Sequence, residues 1–189
     1  MSFQHQNRHT LGADLRALRK ARGLTLEAVG DTLGKSVGWI SQVERDLSSP
    51  LHDDLKAFAR LYDVPLSLLF GAAVAAPAEA GRIVRAPARR PIGDGASGLV
   101  EELLSPDLTD DFEVIHSTFA PGATLTTPTE RPTQEVAYLV SGQLRLWLAD
   151  DVFDLTPGDS FRIRGEAYRW HNPGDTPAIA IWVIAPPVY

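Results

Sequence analysis

The hydrophobic period of this chain changes once, and that change limits what it can fold into. From Leu11 to about Phe70 the apolar residues recur every three or four positions, as on amphipathic helices. After about Ile92 they recur every second position, as on half-buried strands. The sequence of 189 residues therefore predicts a multidomain protein, a helical bundle followed by an all-β unit.

In the first part, Leu11, Leu15 and Leu18 mark a helix from Leu11 to about Arg22. A second, carrying Leu26, Val29 and Leu33, follows the capping residue Thr25 and ends at Gly34, whose permissive backbone suits a helix-to-helix turn. With Ser36 as N-cap, a third helix runs from Val37 to about Leu47. Leu55, Phe58, Ala59 and Tyr62 mark a fourth after Pro50, and Pro65 to Phe70 a short fifth. The third helix turns Ile40 and Val43 inward and leaves Val37, Gly38, Ser41, Gln42 and Arg45 along the other side. Two readings fit that stripe: a solvated helix face, or a face that lies in a DNA major groove. Trp39 is expected to pack on its neighbours.

Charge bears on the choice. The net charge is -6, yet residues 8–45 hold seven Lys or Arg against four Asp or Glu, and residues 72–189 hold nine against sixteen. Salt screens distant charges over a Debye length of about 8 Å, so the local positive balance governs what the helices meet. The patch is modest, which favours two copies of the domain on one DNA.

In the second part the expected strands are Leu99 to Leu104, Phe112 to Phe119, Glu135 to Val140, Gln143 to Leu148, Asp159 to Ile163 and Ala178 to Ile184, separated by Gly and Pro corners. Short strands with such corners predict an antiparallel barrel or sandwich. Between the two parts, Gly71 to Pro91 is rich in Ala, Pro, Gly and Arg and is expected to be a linker. Its Arg82, Arg85, Arg89 and Arg90 either track phosphates or belong to a solvated tether whose Ile83–Val84–Arg85 section pairs as an edge strand. The chain has no cysteine, which excludes disulfides and thiolate zinc sites. The first ten residues lack the apolar core of a secretory signal, and no apolar run is long enough to span a bilayer, so a cytoplasmic location without membrane contact is expected.

LRALRKARGLTLEAVG, the GKS turn and WISQVER followed by SP are similar to the lambda-repressor-like, Xre-type DNA-binding domain, a five-helix helix-turn-helix bundle. Gly30 stands where that family usually has Ala, and Lys35 where an apolar residue is common. The resemblance implies that Val37, Gly38 and Gln42 read bases, with Ser41 and Arg45 near base edges or backbone. It assigns phosphate contacts to Arg16, Arg19, Lys35 and the backbone N–H groups at the starts of the second and third helices, the latter at Ser36.

Pro121-Gly122, Glu135 ahead of Gly142, Leu155-Thr156-Pro157-Gly158-Asp159 and Asn172-Pro173-Gly174 after Tyr168 resemble the cupin family, a jelly-roll (double-stranded β-helix) barrel. The whole chain thus resembles the Xre-cupin transcriptional regulators, with boundaries expected at 9–71 for the helical domain, 72–91 for the linker and 92–189 for the cupin. A metal-dependent cupin has three histidines and a glutamate where this chain has Pro128, Glu130, Glu135 and Tyr168, so neither metal nor cofactor is expected. His116 and His171 are expected to be packing residues. What remains is a pocket of Glu130, Glu135, Tyr168, Trp170 and Arg145, with Trp147, Trp182 and Arg162 as further candidate walls. Two carboxylates suit an amine or polyhydroxyl effector, unless an arginine reverses the preference.

The expected function is a non-enzymatic, homodimeric regulator that binds double-stranded DNA at a pseudo-palindromic operator and senses a small molecule. Val136, Tyr138 and Val140, alternating with Ala137 and Leu139, suggest the paired strands. Two alternatives stay open: a cupin enzyme, isomerase or metal-dependent, with an accessory helical domain, or a cupin that serves only to dimerise.

Overall fold

Apolar spacing marks four segments, and each is a helix. The computed structural model describes residues 11–69, 78–79, 81–93, 95, 97–106, 108 and 110–188, residue 67 by its backbone alone. Its helices are α1 (Leu11–Ala21), α2 (Leu26–Leu33), α3 (Val37–Val43) and α4 (His52–Tyr62). The expected fifth helix is a single turn, Leu66–Leu69, enough to bury Leu68 and Leu69. Its end at Phe70 lies outside the described residues. So do the domain start at residue 9, the linker positions 71–77 and 80, and Tyr189.

Thr25 caps α2 by accepting a hydrogen bond from Ala28 N at 3.1 Å, and Gly34 ends it in the left-handed region at φ 65°. Gly30 is required by packing, since a Cβ there would stand 2.8 Å from the Lys35 carbonyl oxygen. At Gly12 a Cβ would stand 2.4 Å from the Val43 carbonyl oxygen, so α1 seats its first turn directly on the end of α3. The Gly12 N–H also donates to Asp46 Oδ1 at 3.0 Å. Leu15, Leu18, Val29, Ile40, Phe58 and Tyr62 are fully buried at the centre of the bundle, each aliphatic one contributing roughly 1.5–3 kcal/mol.

One helix boundary differs from expectation. α3 stops at Val43 instead of continuing to about Leu47, because Asp46 turns left-handed at φ 56° and Leu47 N reaches back to Gln42 O at 2.9 Å. Arg45 therefore sits in the turn just past the helix.

The all-β part has nine strands among the described residues. They are β1 (Arg90–Ile92), β2 (Leu99–Leu103), β3 (Glu113–Phe119), β4 (Gln134–Ser141), β5 (Leu144–Leu148), β6 (Asp151–Leu155), β7 (Ser160–Arg164), β8 (Tyr168–His171) and β9 (Ala178–Ala185). One sheet runs β1-β2-β3-β9-β4-β7 and the other β6-β5-β8, with antiparallel pairing throughout the registered pairs. β3, β4 and β9 alternate buried and more exposed residues, so each gives one face to the core between the sheets. That core includes Ile115, Phe119, Leu139, Leu146, Ile163 and Trp170.

The family-like corners have visible physical roles. Asn172 is fully buried, and its Nδ2 donates to the carbonyl oxygens of Phe119, Ala120 and Thr176 at 3.0, 3.2 and 2.9 Å. Asp159 Oδ2 accepts from the Thr156 N–H at 2.7 Å and closes the turn before β7.

β1, β6 and β8 are absent from the sequence reading. Ile83 to Arg85, an edge strand on one of the two readings, precede a 3-10 turn at Ala86–Ala88 that contains Pro87; the edge strand begins at Arg90. By its contacts the chain divides into two units that part between Arg90 and Pro91, with residues 106, 108 and 110 grouped with the first. Within the helical unit Arg90 pairs with Asp14 at 2.7 Å, both side chains buried, and Arg85 pairs with Glu79. These two arginines have protein partners, which argues against their tracking phosphates.

Candidate nucleic-acid interface and barrel cavity

The cap on α3 comes from Ser36, whose Oγ accepts from Trp39 N at 3.1 Å. Beneath the helix, Ile40 and Val43 are 0% and 1% exposed; on the other side Val37 is 39% exposed, and Gly38, Gln42 and Arg45 are also exposed. Ser41 is half-buried, and its carbonyl oxygen accepts from Arg45 Nε at 3.0 Å. Nothing in the fold demands glycine at position 38, where the nearest atom a Cβ would meet is Ser36 Oγ at 4.0 Å. Trp39 stacks on Phe58 with 6.3 Å between centroids, a packing role.

The expected phosphate-binding cations differ in what they already hold. Arg16 is exposed. Lys35 Nζ is 2.8 Å from Asp54 and 4.7 Å from the Trp39 ring centroid, so a phosphate would compete with both. The Lys35 hydrogen bond, together with that from the Leu51 backbone, holds the Asp54 carboxyl below the usual range. Arg19, expected at the phosphates, is instead engaged within the bundle. Its Nε and Nη2 grip Glu44 at 2.6 and 2.9 Å, its Nη1 donates to Leu24 O, and its side chain is only 13% exposed.

In the barrel a cavity of about 110 Å³ is lined by Glu101, Arg131, Glu135, Tyr168, Trp170 and Trp182, among others. The structure thus brings Glu135, Tyr168 and Trp170 together, but two expected pocket residues lie elsewhere. Glu130 is exposed and off the lining, because it sits in the loop beyond the Thr129–Tyr168 bridge. Arg145 alternates with buried Leu144 and Leu146, so it faces away from the core and pairs with Asp154 at 2.6 Å. Trp147 shares that outer side, where Arg169 covers its ring at 5.0 Å, and Arg162 is exposed on β7.

Glu101 and Arg131 were missed. Glu101 has a signal: it shares its strand face with Leu99 and Leu103, the core register of β2, whereas Glu102 falls on the other face. Arg131 lies between the Thr129 bridge and β4, where no periodicity marks it.

The polar groups around the cavity are costly to keep. Glu135 is 2% exposed and accepts from Thr133 Oγ1 at 2.7 Å. Glu101 accepts from Ser117 Oγ at 3.1 Å, and burial raises its pKa above the ordinary range. Glu113, also buried, is raised to about 7 by burial, although the Val188 N–H donates to it at 3.1 Å. Burial raises the Tyr168 phenol to about 12.

A divalent metal does not fit. Of the four family ligand positions only Glu135 and Tyr168 face the cavity, neither supplies an imidazole, and no group of three candidate ligands converges among the described residues. His171 Nδ1 is 3.2 Å from Ala123 O, a packing contact, and His116 lies 3.7 Å from Glu102 on the face of β3 away from the core.

A short bundle that exposes the outer side of its third helix, followed by a jelly-roll barrel, defines a helix-turn-helix DNA-binding protein with a cupin domain. Residues 10–69 match a family model described as a helix-turn-helix domain, and residues 115–184 one described as a cupin domain. The transcriptional regulator ClgR of Mycobacterium tuberculosis is 31% identical over 100 residues, which cover 52% of this chain and 89% of ClgR. Among solved structures, an HTH_3 family transcriptional regulator from Vibrio cholerae is 20% identical, covering 94% of this chain and 95% of its own, with TM-score 0.45. The cupin domain of an XRE family transcriptional regulator from Enterobacter cloacae is 27% identical, covering 48% of this chain and 98% of its own, with TM-score 0.42. The chain belongs to the helix-turn-helix transcriptional regulators and carries a cupin domain.

Proposed function

We propose that this regulator binds a specific pseudo-palindromic operator as a homodimer, and that its barrel senses a small metabolite without a bound metal. The observation that carries the reading is the two-sidedness of α3: Ile40 and Val43 anchor it while Val37, Gly38 and Gln42 are exposed on its other side. In the major groove Gln42 would pair with adenine through both amide atoms, and Val37 would touch a thymine methyl. Gly38 lets the helix approach closely, and Ser41 and Arg45 flank the reading positions. Arg16, Lys35 and the N–H groups at the starts of α2 and α3, the latter capped by Ser36, serve phosphates.

Two copies pair through the outer face of the six-stranded sheet. Val136, Tyr138, Val140 and Val183 are each 43–50% exposed there, with Val136 opposite Val183 in register. Pairing would present two copies of α3 about 34 Å apart, one helical turn of DNA. An effector that binds the cavity more tightly in one arrangement of the domains shifts operator affinity by that difference. The work is done on chromosomal DNA in the cytoplasm, and no substrate is turned over. Among the described residues no helix is long and apolar enough to cross a membrane.

The test is Gln42→Ala in operator-binding titrations. It is expected to cost roughly 1–3 kcal/mol on the specific site and almost nothing on random DNA. Equal losses on both would refute base reading. A second reading, a barrel that only dimerises, is favoured by the exposed apolar face; it predicts that no metabolite alters operator affinity.

A further inference from the structure

We propose that the cavity takes a small organic ammonium ion, held between the carboxylates of Glu101 and Glu135 and against aromatic rings. This rests on the sensing reading and supplies its ligand class. Both glutamates line the same cavity, and each has one oxygen engaged by a single hydroxyl, Ser117 for Glu101 and Thr133 for Glu135. No other hydrogen bond reaches either carboxylate among the described residues. Glu135 is only 2% exposed, so its carboxylate is almost cut off from bulk water and meets mainly Thr133 and the cavity.

Charge selects the sign of the ligand. Two carboxylates face one guanidinium, that of Arg131, and a third carboxyl, Glu113, lies on β3 opposite Ile184, whose other neighbour across the sheet is Glu135. An anion would meet more like charge than opposite charge. A compact cation meets the reverse, and in a site of low dielectric that difference is large. Burial lifts the Glu101 and Glu113 carboxyls above their ordinary range, so ionising them in place is costly, and a cation beside Glu101 would offset that cost.

The wall selects an organic cation over an inorganic one. Tyr168, Trp170 and Trp182 line the cavity, with Phe119 set edge-on to Trp170 at 4.8 Å. Ring faces attract an ammonium through their quadrupole, and rings also cover its alkyl part. The three-donor grouping that a metal ion needs is absent among the described residues. At about 110 Å³ the space suits a ligand of few heavy atoms.

The experiment uses the full chain and three probes of matched size, propylammonium chloride, sodium propionate and 1-propanol, at constant ionic strength. Binding is followed by tryptophan fluorescence and ligand-observed NMR. Propylammonium should bind saturably and at least about tenfold more tightly than the other two, since a charge-assisted hydrogen bond in a dry site contributes about that much. Glu135→Gln should weaken it about tenfold with a cooperative unfolding transition retained. Glu101→Gln gives the same readout if the first variant fails to fold, and Glu130→Gln, on the outside, should change nothing. Propionate binding most tightly, with the affinity lost in Arg131→Gln, would overturn the ammonium, as would equal binding of propanol or no saturable binding of any probe. Sensing is read separately, from whether a low-molecular-weight cell extract shifts operator affinity. A shift carried by its anionic or neutral fraction keeps the sensor and discards the ammonium.

Discussion

The outer side of α3 and the interior of the barrel both present polar groups, but at very different cost. Gln42 and Arg45 stand in solvent, where a polar side chain needs no partner, and their stability would be the same on any solvated helix. Glu101, Glu113 and Glu135 are desolvated, with pKa values raised by burial for the first two. An exposed polar stripe is therefore weak testimony by itself; it gains force here from the caps, the turn and the family match. A buried carboxylate that lowers stability speaks for a purpose on its own.

Three measurements would break or sharpen that contrast. The largest effect is expected from Arg19→Ala, because the Glu44 side chain it leaves behind is 5% exposed and would be charged without a partner. Urea unfolding should show a loss of roughly 3–5 kcal/mol, the usual result of stranding a buried ion. A loss below about 1 kcal/mol would mean that the pair behaves as a surface contact, and Arg19 would return to the phosphate-binding set.

The second concerns pH. Glu113 titrates near 7 when folded against 4.5 as a free side chain, so the folded state holds its proton more tightly. That contribution to stability is complete below about pH 4.5 and disappears as pH rises through about 7, amounting to at most about 3 kcal/mol. Thermal unfolding of the barrel should show this decline, and Glu113→Gln should flatten it. A stability that climbs with pH over the same interval would contradict the burial assigned to Glu113.

The smallest effect is the most discriminating. Gly38→Ala adds a methyl group to open space, so helix propensity alone should stabilise the bundle by about 0.5–1 kcal/mol. If α3 enters a groove, the same methyl should weaken operator binding. Unchanged operator affinity would show that the outer side is not in close contact with DNA.

Much of this architecture was legible in the sequence, for identifiable reasons. Thr25, Gly34 and Ser36 act through hydrogen bonds to residues a few positions away, so their roles can be read locally. The three strands that were missed are short or weakly patterned: β1 contains Pro91, β8 has four residues, and β6 has no buried position, which erases the alternation that marks a strand. The misassigned site residues depend on distant partners. Arg19 looks solvent-facing on its own helix, and only Glu44, 25 residues later, reveals its true contact. Glu130 follows from the resemblance to a family motif, but it lies off the cavity lining, where Glu101, from a strand outside that motif, is found.

The seating of Gly12 on the carbonyl of Val43 has a corollary. α3 has seven residues, too few to hold its own shape, and it is fixed from below by α1 at one end and by the Ser36 cap at the other. Its outward positions are thereby released from any duty to keep the helix in place. On the proposed reading, changes at Val37, Ser41 and Gln42 would retarget the protein without unseating the helix, whereas any side chain at Gly12 would collide with the Val43 carbonyl oxygen.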